Sequence, residues 1–335
     1  MDAILLAGGF GTQLRPLTYT RPKPLLPVAG RPMVEWVLDR LPPEVRRVIV
    51  AVNWKAQTLG TYFANRESKG KGRRVDFVVV KEDEPLGTAG AVKNCEPHLT
   101  SDRFFVLNAD IVSTMDLGAM VRAHAANKGA GTISLKEVAP ADVVNYGVVR
   151  EDEQAAEAGA VRIAEFVEKP KDPSLAPSRL INAGAYLLDR SVLSLVPKGK
   201  LVSMEKEVFP QLVPRGLFGL PFEGQWHDVG DPQRLITASH AMDPGFKAGP
   251  GSRIAPDAQV TGSLLGRDCS VGAGARLDGC VLGDGITVDA GVHLDGCVVG
   301  DGERVRHSAS DLRIWTRPTP PGYPEKQVGN ALAKA

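Results

Sequence analysis

Between residues 8 and 30 the chain reads GGFGTQLRPLTYTRPKPLLPVAG. Gly8, Gly9 and Gly11 would let backbone amides approach an anion closely. Arg15 and Lys23 supply cations, and Pro16, Pro22, Pro24, Pro27 and Pro32 stiffen the stretch around them. A stiff, basic, glycine-rich segment is preorganised for phosphate. Two carboxylates stand in later turns, Asp110 in VLNADI and Asp228 in WHDVGDP. Hard oxygen ligands suit a hard divalent ion that also binds phosphate. The combination points to phosphoryl chemistry. Gln13, an uncharged amide, sits in the middle of it.

Two familiar nucleotide loops do not fit. The dinucleotide fingerprint fails because Gly9-Phe10-Gly11-Thr12-Gln13-Leu14 lacks the third glycine. The second expected strand also ends at Asn53, with no acid to hold a ribose. The Walker pattern fails because no GK[ST] closes the loop.

The elements that must position these residues alternate. Short apolar runs at 3–7, 45–53, 75–81, 103–109 and 131–138 read as strands. Residues 33–41, 56–66, 87–99 and 117–128 read as helices between them. That order predicts an α/β fold with a mostly parallel sheet. Ligands bind at the carboxyl ends of such strands. The glycine loop follows the first strand and Asp110 the fourth, so both belong on that edge. Further strands are expected at 165–169, 180–188 and 217–222.

Three later segments, starting at 264, 281 and 298, align without gaps at a period of 17. Ile254, Val271, Val288 and Val305 share a column, as do Val260, Leu277 and Leu294, and Leu265, Leu282 and Val299. Apolar residues about every six positions, with glycine corners, predict a parallel β-helix of hexapeptide type. Cys280 and Cys297 share a column as core residues. His293 and His307 leave open an acetyl-transfer activity of this array, against a structural or oligomerisation role. The domain reading is therefore 1–242, 249–316 and a proline-rich tail at 317–335, expected to cross a surface or a neighbouring subunit.

The 335 residues carry a formal net charge of +1, with 43% hydrophobic and 24% charged residues. That balance gives no footprint for nucleic acid, and KGKGRR at 69–74 reads as a solvated loop. No apolar run reaches the roughly 20 residues that span a bilayer. The apolar N-terminus lacks a basic n-region and reads as a strand, not a signal peptide. The four cysteines show no CxxC spacing, which argues against a disulfide framework or zinc site. Cytoplasmic localisation is the expectation.

LAGGFGTQLRPLTYTRPKPLLPVAGRPM resembles the N-terminal motif of sugar-1-phosphate nucleotidyltransferases. EPLGTAGAV (84–92), VLNADI (106–111), YGVV (146–149), FVEKP (166–170), INAGAY (181–186), EKEVFP (205–210) and WHDVGDP (226–232) follow in the family's order. EPLGTAG, EKEVFP and the chain length are most similar to the mannose-1-phosphate guanylyltransferases of that family. The resemblance implies a Rossmann-like, mostly parallel nucleotidyltransferase domain followed by a short left-handed parallel β-helix. It implies transfer of a nucleoside monophosphate from an NTP, GTP favoured, to a sugar 1-phosphate, with pyrophosphate released. Leu6, Ala7, Gly8, Gly9, Gly11, Thr12, Glu84, Gly87 and Thr88 would meet the nucleotide. Glu84 would read the guanine edge. Gly147, Glu168, Lys169 and Asn182 would meet the sugar phosphate, with Glu205 and Lys206 nearby. Trp226 would pack.

Lys23, Gln13, Asp110 and Lys169 would be catalytic, and Asp110 and Asp228 would hold Mg²⁺. The family carries arginine at the position of Gln13. Three readings of this departure stand: a slower enzyme with Arg15 or another cation compensating, a regulatory homologue that binds nucleotide sugar, or an engineered change. An enzyme using dTTP or UTP with glucose or N-acetylglucosamine 1-phosphate is a further alternative. A homo-oligomer, dimer or tetramer, is expected from the exposed end of the β-helix.

Overall fold

A computed structural model describes residues 1–68, 75–153, 156–323 and 332–333. The basic run at 69–74 and most of the tail from Pro324 onward lie outside the described residues. The chain forms two compact units, one made of residues 1–9 and 37–226, the other of residues 10–36 together with 227 onward.

The first unit is built on one nine-stranded sheet. Its order is Asp76–Lys81, Arg47–Val52, Asp2–Leu6, Arg103–Asn108, Leu180–Asp189, Gly131–Glu137, Leu217–Pro221, Val161–Glu168 and Gly147–Glu151. The first four strands are parallel, in the 3-2-1-4 order of a Rossmann-like half. Three of them, Arg47–Val52, Asp2–Leu6 and Arg103–Asn108, are mostly apolar and buried, with Ile4, Ile49, Phe104 and Val106 at zero exposure, while the edge strand Asp76–Lys81 is only half-buried. Beyond them the parallel expectation gives way to a mixed sheet. Leu180–Asp189 runs antiparallel to both its neighbours. Gly147–Glu151, not foreseen as a strand, pairs antiparallel with Val161–Glu168 at the edge.

Helix Gly87–Asn94 stops short of residue 99, and a 3₁₀ turn at Glu96–His98 takes over where Pro97 cannot donate. Helix Leu117–Asn127 is capped by Asp116, whose carboxylate accepts from Gly118 N at 2.8 Å. No helix among the described residues is long and apolar enough to cross a membrane.

The second unit holds the C-terminal coils. Three stacks of short parallel strands form them, two of four strands and one of five, the fifth being Leu332–Ala333 beside Arg313–Ile314, as in a parallel β-helix. The pairs Ile254↔Val271↔Val288↔Val305 and Val260↔Leu277↔Leu294 keep the 17-residue period. The last coil breaks it. Leu294 pairs with Ala309 and Val298 with Arg313. The corner after Val305 has three residues where the corner after Val288 has five, because nothing there replaces Ala290 and Gly291. Cys269, Cys280 and Cys297 are buried free thiols of this core.

The loop from Phe10 to Trp36 belongs to this same unit. Asp284 and Asp301 stand one coil apart at glycine corners. Asp284 Oδ1 accepts from Arg267 N and Asp301 Oδ1 from Asp284 N, at 2.9 and 2.7 Å. Arg21 Nη2 donates to the remaining Oδ2 of each, at 2.9 and 2.6 Å. Thr20 Oγ1 donates to Asp301 Oδ2 at 2.5 Å. Arg313 Nη1 donates to Arg15 O at 3.0 Å. Tyr323 is buried and packs edge-on against Tyr19 at 4.9 Å.

Arg21 thus neutralises two stacked acids that would otherwise repel. Replacing it by methionine keeps the stem and removes the cation from Asp301 Oδ2, while Asp284 keeps Arg267 Nη2 at 3.1 Å. Arg21→Met is expected to lower the unfolding free energy by about 2 kcal/mol, the scale of charged hydrogen bonds. Urea unfolding checks this, and an unchanged midpoint would mean that water screens the pairs.

Candidate functional site

In the first unit the sheet delivers several of the expected residues to strand ends. Leu6 lies beside Ala51 and Asn108, and Ala7 N donates to Ala51 O at 2.8 Å. Gly8 follows. A Cβ there would stand 3.6 Å from Glu82 Oε1, and nothing within 4 Å would meet one at Gly9. Glu82 was not expected from the sequence. It is buried and its Oε2 accepts from Leu86 N at 3.3 Å, so it shapes the 82–86 bend beside the glycines. Burial raises its carboxyl above the ordinary value. Glu84, the expected base reader, is exposed in that bend.

Gly87 must be glycine. Its φ is +71°, and a Cβ would stand 2.6 Å from Val202 O. Thr88 bridges two segments, since its Oγ1 donates to Glu205 Oε2 at 2.7 Å and accepts from Met204 N at 2.8 Å. Glu205 also accepts from Ser203 Oγ at 2.8 Å. Glu205 and Lys206 sit on a short π-helix, Met204–Val208, a widened turn that often marks functional segments.

Strand Val161–Glu168 ends where the two neighbours FVEKP need it to end. Lys169 takes a left-handed φ of 47°, so it escapes the strict alternation of faces. Glu168 pairs in register with Gly147. A Cβ at Gly147 would stand 2.8 Å from Glu168 Oε2 and 2.5 Å from Phe166 Cζ, so that glycine makes room for the carboxylate. Glu168 Oε2 is buried without a hydrogen-bond partner. Burial, and then the Glu205 carboxylate, hold the Glu168 carboxyl above its ordinary value, against the pull of Lys169 and Lys206.

Asn182 lies at a bulge in Leu180–Asp189. Its Oδ1 accepts from Gly184 N and its Nδ2 donates to Tyr186 Oη, each at 3.0 Å. Tyr186, fully buried, is a residue of INAGAY with no role foreseen from the sequence. Burial raises its hydroxyl well above the ordinary range, and Glu205, Glu168 and Asp110 add to the effect. These acids therefore share one neighbourhood around the tyrosine. Asp110 occupies the turn between Arg103–Asn108 and Ile111–Ser113. Trp226 packs edge-on against Tyr146 at 5.3 Å, and its Nε1 donates to Ala183 O.

In the second unit Gly11 is left-handed, with φ 63° and ψ 42°, ahead of a 3₁₀ turn at Thr12–Leu14. A Cβ at Gly11 would stand 2.8 Å from Thr18 Cγ2 and 3.2 Å from Lys23 Cβ. Lys23 itself is nearly buried, at 9% exposure. Gln13 is exposed at the apex. Arg15 does not face out beside it. Arg15 is buried, its Nε donates to Thr12 O at 2.9 Å, and its guanidinium lies 5.2 Å from the Tyr323 ring centroid. The cation beside Gln13 is a different one. A Cβ at Gly230 would stand 3.6 Å from Arg234 Nη1 and 4.0 Å from both Gln13 Oε1 and Asp228 Oδ1. Arg234 Nη1 donates to Asp228 Oδ2 at 3.1 Å. Asp231 caps the helix Pro232–Met242 that carries Arg234.

Among the described residues no three or more histidine, cysteine, aspartate or glutamate side chains are arranged to hold a metal ion by themselves. The donor chemistry of Asp110 and Asp228 still fits Mg²⁺, which usually takes one or two carboxylates and completes its shell with water and substrate phosphates.

The four parallel strands make a Rossmann-like half sheet, and a glycine–proline stretch follows the first of them in sequence. The nucleotidyl transferase family matches residues 2–244, and the chain belongs to it. It is 33% identical to the mannose-1-phosphate guanylyltransferase of Mycobacterium tuberculosis over 82% of this chain and 77% of that protein. It is 35% identical to the mannose-1-phosphate guanyltransferase of Saccharomyces cerevisiae over 79% of this chain and 71% of that protein. Among solved structures, a UDP-glucose pyrophosphorylase complexed with UDP-glucose superposes with a TM-score of 0.62 at 23% identity, covering 72% of this chain and 97% of that one. That likeness shows the fold.

Glu168 gives a pH test. A carboxyl with a raised folded-state pKa favours its protonated form in the fold. Its contribution to stability is full below the ordinary value of 4.5 and is lost as pH rises through the folded value. Glu168→Gln is therefore expected to raise the melting temperature at pH 8, with the gain vanishing below pH 4.5. A gain equal at both ends of a pH 4–8 series would contradict it.

Proposed function

We propose that the protein transfers guanylate from GTP to mannose 1-phosphate, forming GDP-mannose and pyrophosphate. The observation that carries the sugar side is the unpartnered, buried Glu168 Oε2 beside Gly147. A buried carboxylate oxygen calls for a donor. A sugar hydroxyl supplies one, while Lys169 grips the phosphate. Asn182 holds Tyr186 and the bulge beside the sugar. The names of the relatives favour guanine and mannose, and the dTTP or UTP alternatives yield to that on the same ground.

Two polyanions must be aligned and their repulsion absorbed. An oxygen of the sugar phosphate attacks the α-phosphorus in line as the pyrophosphate leaves. Gly8, Gly9, Gly11 and Thr12 present amides to the nucleotide, and Leu6, Ala7 and Gly87 shape the space for base and ribose. Thr88 acts through Glu205. Glu84 reads the base edge from its exposed bend. Lys23 meets the phosphates. Mg²⁺, held by Asp110 and Asp228, neutralises phosphate charge when bound. The protein is active in the cytoplasm, as a homo-oligomer joined through its β-helix.

Gln13 leaves the loop apex uncharged. Arg15 is committed to Thr12 O and the Tyr323 ring, so Arg234 is our compensating cation. A coupled pyrophosphate assay with four NTPs and three sugar phosphates tests the reaction. GTP with mannose 1-phosphate is expected to give the highest kcat/KM, and no release from any pair would overturn the enzyme reading. Gln13→Arg is expected to raise kcat about tenfold or more, since one charged transition-state contact is worth roughly 10²–10³ in rate. Arg234→Gln should cost more in the Gln13 protein than in Gln13→Arg. Equal costs would remove Arg234 from the account.

A further inference from the structure

Two hydroxyls hold the carbonyls of the glycine loop, and one comes from the far end of the chain. Tyr323 Oη donates to Phe10 O at 3.0 Å. Thr18 Oγ1 donates to Gly11 O at 3.0 Å. The two hydroxyl oxygens are 2.8 Å apart. Each hydroxyl has one proton, so two protons serve three close contacts and the group acts as a unit.

The consequence follows from peptide geometry. A trans peptide is planar, and its C=O and N–H point in opposite directions. Fixing the carbonyls of Phe10 and Gly11 on the Tyr323 side aims the N–H groups of Gly11 and Thr12 the other way. Gly11 is left-handed and the next residues form a 3₁₀ turn. Such a change of hand makes successive N–H groups converge into an anion-binding concavity. Among the described residues neither amide donates to a protein acceptor.

We propose that Tyr323, acting with Thr18, is a positioning residue for the triphosphate: its hydroxyl sets the loop peptides so that the Gly11 and Thr12 amides face phosphate. The inference rests on the nucleotidyl-transfer reading and extends the site to a residue of the C-terminal tail. Tyr323 is well placed for a fixed role. Its ring is 4% exposed, stands edge-on to Phe10 at 5.9 Å and to Tyr19 at 4.9 Å, and lies beneath the Arg15 guanidinium. Burial raises its hydroxyl above the ordinary value of 10, so it stays protonated and able to donate. Phenylalanine would keep every ring contact and lose only the hydroxyl.

The test uses the full chain and calorimetric binding of two probes, magnesium tripolyphosphate and magnesium GTP. The variants are Tyr323→Phe, Thr18→Val, Thr18→Ser and the Thr18→Val/Tyr323→Phe pair. Tyr323→Phe and Thr18→Val are each expected to weaken both probes roughly five- to tenfold, the scale of one hydrogen bond. Thr18→Ser should bind as the unaltered protein does, and the double variant should lose less than the product of the single losses. KM for GTP should rise in parallel. Tyr323→Phe that binds both probes normally, or that weakens mannose 1-phosphate as much as tripolyphosphate, would overturn the proposal. An unaltered protein that ignores tripolyphosphate would overturn it too. Weakened tripolyphosphate binding in Tyr323→Phe, with no turnover of GTP and mannose 1-phosphate by the unaltered protein, would support the clamp and sink only the guanylyltransferase reading.

Discussion

A backbone presents adjacent N–H groups to an anion only when the carbonyls behind them are held. The glycine loop has no ladder to do this, because its residues form short turns and not a strand. Its shape comes from the second unit. Thr18 and Tyr323 hold carbonyls, Arg313 takes Arg15 O, and Arg21 and Thr20 tie the middle of the loop to stacked aspartates. The β-helix thus holds the segment from Phe10 to Trp36 in shape. Its regular coils place Asp284 and Asp301 one coil apart, a spacing that a single guanidinium can bridge.

The surroundings of Glu168 follow a complementary logic. There the fold concentrates acid where it could have hidden it. The Glu205 carboxylate opposes ionisation of Glu168, and the charges of Glu205, Glu168 and Asp110 act on the buried Tyr186 hydroxyl. Gly147 has no side chain, and Glu168 fills that space. A carboxylate kept buried and unpartnered makes the free protein less stable than it could be. That is a common trade of stability for binding.

Much of this was legible in the sequence, because the signals were local. The parallel strands read as apolar runs, and the coils as a 17-residue period. The glycine loop read as an anion site from its glycines, cations and prolines. What the sequence hid depends on contacts between distant residues. Nothing near Tyr323 marks it as a partner of Phe10, more than 300 positions away. Arg15 looked available in the sequence, and only folding commits it to the Tyr323 ring. The shortened last coil escaped because a gapless alignment cannot show a corner that loses two residues. Glu82 was passed over as one acid in the charged run KEDE at 81–84, and Tyr186 as one polar residue in a mostly apolar strand. The antiparallel strand Leu180–Asp189 was recognised as a strand, but direction is not written in periodicity.

The central claim is that an oxygen of the sugar phosphate forms the new bond to the nucleotide α-phosphorus. Mannose 1-phosphate labelled with ¹⁸O at its three non-bridging phosphate oxygens tests it most directly, with products read by mass spectrometry. The account predicts nucleotide sugar that retains all the label and pyrophosphate that carries none. Label in the pyrophosphate, or label-free nucleotide sugar, would contradict it.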